Sequence, residues 1–126
     1  MEGVAMTEEA VKSFLKSYSE LKARRDILDK IQSYSRDMDE SNTYSQLMIK
    51  IQIIESSLEI LTEDEKQVIL LHLINNVKWT EIEELYEKQV GMELNYSNRT
   101  FKRIQKNALK KIEDFISKNK FEQYVS

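Results

Sequence analysis

The sequence predicts an all-α protein, and three observations carry that prediction. The 126 residues include no proline and only two glycines, so little in the chain interrupts a helix. Charged residues make up 33% and hydrophobic residues 40%, a balance rich in the Glu, Lys, Leu and Ile that favour helices. Apolar residues recur at spacings of three and four, the period of a helix with one buried face.

The first helix is expected from about Thr7 to Ser35, with Val11, Phe14, Tyr18 and Leu21 on one face. Arg24 and Arg25 interrupt this pattern before it resumes at Ile27, Leu28, Ile31 and Tyr34. The polar run Asp37 to Asn42 reads as a loop, with Ser41 or Asn42 available to cap the next helix. The second helix carries the cleanest stripe in the chain: Tyr44, Leu47, Ile51, Ile54, Leu58 and Leu61 alternate spacings of three and four. Such a stripe packs along a partner helix. An antiparallel hairpin with the first helix explains it within one chain. Met48, Ile53 and Ile60 widen the apolar surface, so a homodimer through Tyr44, Leu47, Ile51, Ile54 and Leu58 is also expected.

Thr62 and Glu65 form a capping-box pattern, in which each side chain satisfies the other residue's backbone N–H. The helix it opens is almost continuously apolar from Val68 to Ile74 and is expected to be buried. Asn75-Asn76 ends it, because asparagine tolerates the left-handed conformation found after helices. A second capping box, Thr80 with Glu83, is expected to open a helix through Ile82, Leu85 and Tyr86 that can extend to Val90, with Trp79 stapled just before the cap. Gly91 can stop this helix, and residues 87–96 form a long turn. Ser97 then starts the last helix, with Phe101, Ile104, Ala108, Leu109 and Ile112 on one face and Arg99, Lys102, Arg103, Lys106 and Lys110 on the other.

The net charge of −3 conceals an asymmetry. Residues 1–96 carry 11 Lys/Arg against 19 Asp/Glu, whereas residues 97–126 carry 8 against 3. A basic helix on an acidic body orients that helix toward a polyanion. The absence of cysteine removes disulfides and thiolate metal sites and fits a reducing cytoplasm. No apolar run approaches the roughly 20 residues that span a membrane, and the first residues lack the layout of an export signal. A cytoplasmic protein without membrane contact is therefore expected. His72 is the single histidine and stands in the most apolar helix. The acidic triplets 63–65 and 81, 83 and 84 fall in first turns, where the helix dipole favours them. No catalytic residue, metal site or cofactor site emerges.

Buried helix, loop, capped helix, turn and basic helix in this order form the tri-helical frame of a helix-turn-helix. The fold class expected is thus all-α, an N-terminal helical hairpin or arm over residues 1–61 followed by a helix-turn-helix domain over 62–126. Leu61-Thr-Glu-Asp-Glu-Lys-Gln-Val-Ile69 resembles the opening of the fourth region of bacterial sigma factors. Asn76-Val-Lys-Trp-Thr-Glu-Ile-Glu-Glu84 is similar to the start of their first motif helix, and Arg99 to Ile112 to their promoter-reading helix. The resemblance covers roughly residues 58–116, and within that superfamily the chain looks most like ArpU-type regulators of phage late genes. It implies a sequence-specific activator of phage or prophage transcription that binds double-stranded DNA, with RNA polymerase as a further partner. The turn 87–96 looks longer than in a typical sigma factor, which leaves the docking angle of the last helix open.

The DNA contacts expected are Ser97, Asn98, Arg99, Thr100, Lys102, Arg103, Lys106 and Lys110. Ser97 and Asn98 lie at a helix start that can hold a phosphate, and an arginine in the groove can make a bidentate contact to guanine. Lys111 also reads as a backbone contact. Two alternatives stay open: an interaction module whose main partner is RNA polymerase, and a DNA-recognition subunit of a phage packaging machine.

Overall fold

The computed structural model of the chain describes residues 6–34, 41–90 and 98–125. Every regular element among them is helical, as predicted. α1 (Glu8–Lys16) and α2 (Tyr18–Tyr34) replace the single first helix expected. The break is at Ser17, whose hydroxyl turns back to the Phe14 carbonyl while its N–H is shared between Ser13 and Phe14. Serine competes in this way for helix carbonyls and bends the chain. α3 (Ser41–Glu59) follows; most of the expected acidic loop lies outside the described residues.

α2 and α3 form the expected antiparallel hairpin. The Tyr18 hydroxyl donates to Glu55 at 2.7 Å, and the Tyr44 hydroxyl bonds Asp29, so positions rise along one helix as they fall along the other. Burial, followed by the bond to Glu55, raises the Tyr18 pKa to about 12.

The Thr62–Glu65 capping box forms as predicted. Thr62 N–H donates to the Glu65 carboxylate at 2.9 Å, and Glu65 N–H donates to the Thr62 hydroxyl at 3.3 Å. It opens α4 (Glu63–Val68), which continues as a π-helical segment, Ile69–Ile74. The wider winding ends with Asn75 N–H bonded five residues back to the Leu70 carbonyl at 2.8 Å. Asn76 then adopts φ 57°, the left-handed residue expected, and turns the chain so that Val77 N–H reaches the Leu71 carbonyl at 2.8 Å. α5 (Trp79–Val90) starts earlier than its expected cap. Ile82 N–H bonds the Lys78 carbonyl at 3.0 Å, which puts the cap position at Lys78 and Thr80 inside the first turn. α5 runs to Val90, the furthest end expected, and so takes residues 87–90 out of the long turn; Gly91 to Ser97 lie outside the described residues. α6 (Asn98–Lys118) is the longest helix described, and a 3-10 turn (Glu122–Tyr124) follows it.

Two apolar clusters meet on α6. The smaller joins Val68, Ile82, Tyr86 and Phe101 from α4, α5 and α6, with the Tyr86 and Phe101 rings edge to face at 4.9 Å. The larger joins α1, α2, α3 and the π-helical segment to Ala108, Leu109, Ile112 and Ile116, so it crosses the expected boundary between residues 61 and 62. The α4–π helix lies between the clusters, with Val68 and Leu71 on one and Ile69 and Leu73 on the other. That position explains its continuous apolar run.

This packing corrects the expected dimer stripe. Leu47, Ile51, Ile54 and Leu58 are at most 5% exposed and belong to the chain's own core, because α2 and α6 cover the surface reserved for a second copy. Tyr44 is half-buried against α2. Among the described residues, the exposed large apolar side chains stand elsewhere, at Ile27, Ile31, Met48, Ile60 and Leu85.

α6 ends on Lys120, which holds φ 60° while Phe121 N–H bonds the Ile116 carbonyl at 2.9 Å. A side chain with a Cβ is disfavoured in this conformation and glycine is not. Lys120→Gly should therefore raise stability by about 1 kcal/mol, read as a higher urea midpoint at unchanged m-value. A lower midpoint would show that the lysine side chain contributes more than its backbone conformation costs.

Candidate nucleic-acid interface

The buried face of α6 determines what its other face presents. Phe101, Gln105, Ala108, Leu109, Ile112 and Ile116 point inward. At about 3.6 residues per turn, Arg99, Lys102, Arg103, Lys106 and Lys110 then share one outward stripe, and all five are exposed. Among the described residues no acidic side chain forms an ion pair with any of them. The remaining expected contacts are placed differently. Ser97 lies outside the described residues. Asn98 is half-buried, and its side-chain oxygen is buried with no hydrogen-bond partner among the described residues. Thr100 is half-buried and falls on the flank of α6 that carries Lys111, away from the stripe.

Lys111 has a structural role that the linear sequence does not reveal. Its ammonium donates to the Glu65 carboxylate at 2.8 Å, joining α6 to the capping box at the start of α4. Burial pushes the Glu65 carboxyl up, but the hydrogen bonds from Lys111 and Thr62 and the Lys111 charge outweigh it and leave the pKa below its ordinary value.

Beside the stripe lies a cleft of about 300 Å³ between α1, the π-helical segment, the start of α5 and α6. It is lined by Glu8, Lys12, His72, Trp79, Lys102, Gln105 and Lys106. His72 and Trp79 stack with ring centroids 3.7 Å apart and planes 19° from parallel, so Trp79 is fixed by this stack. The His72 Nδ1 lies 3.0 Å from the Val77 carbonyl. A carbonyl only accepts, so Nδ1 carries the proton. Burial chiefly holds the imidazole below its ordinary pKa; the Val77 carbonyl opposes this, and the charges of Lys16, Lys12 and Lys102 add to it. Gln105 is 7% exposed, and its side-chain oxygen has no partner among the described residues.

Compared with known proteins, the chain matches no family model, no curated protein and no solved structure. What the surface can do follows from its chemistry. Five exposed cations on a rigidly anchored helix, with a basic cleft on its flank, suit an extended polyanion. Among the described residues no group of His, Asp or Glu side chains could hold a metal, and no helix is long and apolar enough to cross a membrane.

Lys12, Gln105 and the His72–Trp79 stack were not singled out for this surface from sequence. Lys12 belongs to α1, far from α6 along the chain, and no local pattern signals their meeting. Gln105 interrupts an apolar face, a signal that could have marked it.

His72 gives this region a pH dependence of defined sign. Its folded pKa lies below the ordinary 6.5, so the unfolded chain takes up the proton more readily. The stability it contributes is complete above about pH 6.5 and is lost as the pH falls toward its folded pKa. Thermal melts should show a loss on mild acidification that His72→Gln removes; identical pH profiles for the two proteins would refute the assignment.

Proposed function

We propose that this chain is a sequence-specific double-stranded-DNA-binding transcription regulator, with the outward stripe of α6 as its reading surface. The observation that carries the reading is that Arg99, Lys102, Arg103, Lys106 and Lys110 are exposed together on a helix whose other face is buried in both apolar clusters. α4, α5 and α6 packed on one apolar cluster suit the tri-helical frame that presents such a helix to the major groove. The resemblance of residues 58–116 to the fourth region of sigma factors, and to ArpU-type regulators, supports a role in activating phage or prophage genes from the cytoplasm. Replacing Arg99, Lys102 and Arg103 together with alanine should abolish the mobility shift of a cognate duplex while leaving the circular dichroism spectrum intact. Retained binding by the triple variant would remove α6 as the reading helix. Genomic footprints upstream of late phage operons support the activator role; footprints at a packaging site favour a packaging subunit instead.

A second copy of the chain fits this function, since doubling a module of few phosphate contacts raises avidity and imposes repeated half-sites. The surface favoured for it is the side of α2 turned away from α3, where Ile27 is 55% exposed and Ile31 is 37% exposed. Arg24, Asp26 and Asp29 beside these residues are exposed and of both signs, which lets a two-fold contact set opposite charges against each other. Light scattering should give a dimer mass for the native chain and a monomer mass for Ile27→Glu. A monomer mass for both would exclude this contact.

A further inference from the structure

The cleft beside the stripe is built by elements far apart in the chain, and it combines three features. Lys12 from α1 and Lys102 and Lys106 from α6 bring three ammonium groups to its walls, against one carboxylate, that of Glu8. Gln105 lies at its base, more than nine-tenths buried, with its side-chain oxygen unpartnered among the described residues. A buried amide oxygen left without a partner is costly; it cannot bind an anion itself, but a half-turn of the amide puts the NH₂ donor in its place. The third feature is the His72–Trp79 stack, which forms a flat wall.

We infer that this cleft is a phosphate-binding site, in which Lys12 of α1 acts with Lys102, Lys106 and the Gln105 amide on one phosphate group. The best-placed source is the DNA backbone alongside the α6 stripe; in that form the inference rests on the DNA-binding reading above. A free phosphate has the same chemistry and is the alternative source. Lys12 has one ion-pair partner, Glu9, at 3.7 Å, and the Glu9 side chain is 83% exposed. So loose and solvated a contact is readily exchanged for a phosphate. The lysines already make the cleft positive enough to bear on the charge of His72. The N-terminal region thus supplies a DNA contact from outside the three helices of the reading frame.

The chain contains a single tryptophan, so its intrinsic fluorescence reports on this wall of the cleft. The test uses the full chain as wild type, Lys12→Ala and Lys12→Arg, with thermal melts to confirm folding. One arm titrates a short random-sequence duplex at several salt concentrations, and the other titrates inorganic phosphate against Trp79 fluorescence. With a backbone phosphate in the cleft, Lys12→Ala weakens duplex binding several-fold and makes the plot of log affinity against log salt shallower by about 0.9, while Lys12→Arg retains the native slope. With a free phosphate as ligand, fluorescence saturates with inorganic phosphate in the wild type and does not respond in Lys12→Ala. If wild type and Lys12→Ala bind duplex with equal slopes and phosphate leaves Trp79 unchanged, the cleft assignment is overturned and the DNA-binding reading survives. A wild type that ignores duplex but responds to phosphate through Lys12 keeps the cleft and removes the DNA-binding reading.

Discussion

Burial of one face of α6 is the constraint on which the rest of the structure depends. Phe101 is enclosed by α4 and α5, and seven to fifteen residues later Ala108, Leu109, Ile112 and Ile116 are enclosed by the helices that precede residue 62 together with the π-helical segment. Full burial of each large side chain is worth about 1.5–3 kcal/mol. Against this, the stripe brings like charges together at spacings of three and four: Arg99 with Lys102 and Arg103, and Lys106 with Lys102, Arg103 and Lys110. Each such pair opposes the helix by only about 0.2–0.5 kcal/mol. The apolar anchors therefore decide the outcome, and the helix can hold a row of cations that it would carry poorly alone. A polyanion laid along the stripe would relieve that repulsion.

The same balance explains why Lys111 differs from its basic neighbours. It lies on the flank that faces α4, where Glu65 already accepts the Thr62 N–H. One carboxylate oxygen thereby closes a capping box and bonds an ammonium 46 positions away. Glu65 is nearly buried in that place, and a buried carboxylate stays ionised only with such partners. Lys111 ties the start of α4 to α6, whereas the five cations of the stripe have no acidic partner among the described residues.

What the sequence made legible was what neighbouring residues decide among themselves. The Thr62–Glu65 box, the left-handed Asn76 and the two faces of α6 each depend on residues within a turn or two, and each is found where it was expected. The expectations that failed depend on distant partners. Thr80 has the residue type and spacing of a cap, yet the helix starts earlier, with Lys78 at its cap position and Trp79 stacked on His72 from the preceding helix. The stripe on α3 was legible as a buried face, but its periodicity is the same whether α6 or a second chain covers it. The candidate site divides along the same line: its stripe lies on one helix, whereas Lys12 reaches the cleft only through the packing of α1 on α6.

That packing bears on how an N-terminal arm could serve a reading helix. An arm joined by a loose linker would let two basic helices find a range of spacings on a target. Here α1 and α3 share a core with the C-terminal half of α6, and the π-helical segment fills the space between the two clusters. Any contact made by the α2–α3 hairpin is thereby held in a set relation to the basic stripe. Two copies joined at the hairpins would hold their stripes at one separation, and selectivity would then reside in half-site spacing as well as in the bases each stripe can touch. The reach of the protein along a nucleic acid would be set by the same apolar contacts that keep α6 folded.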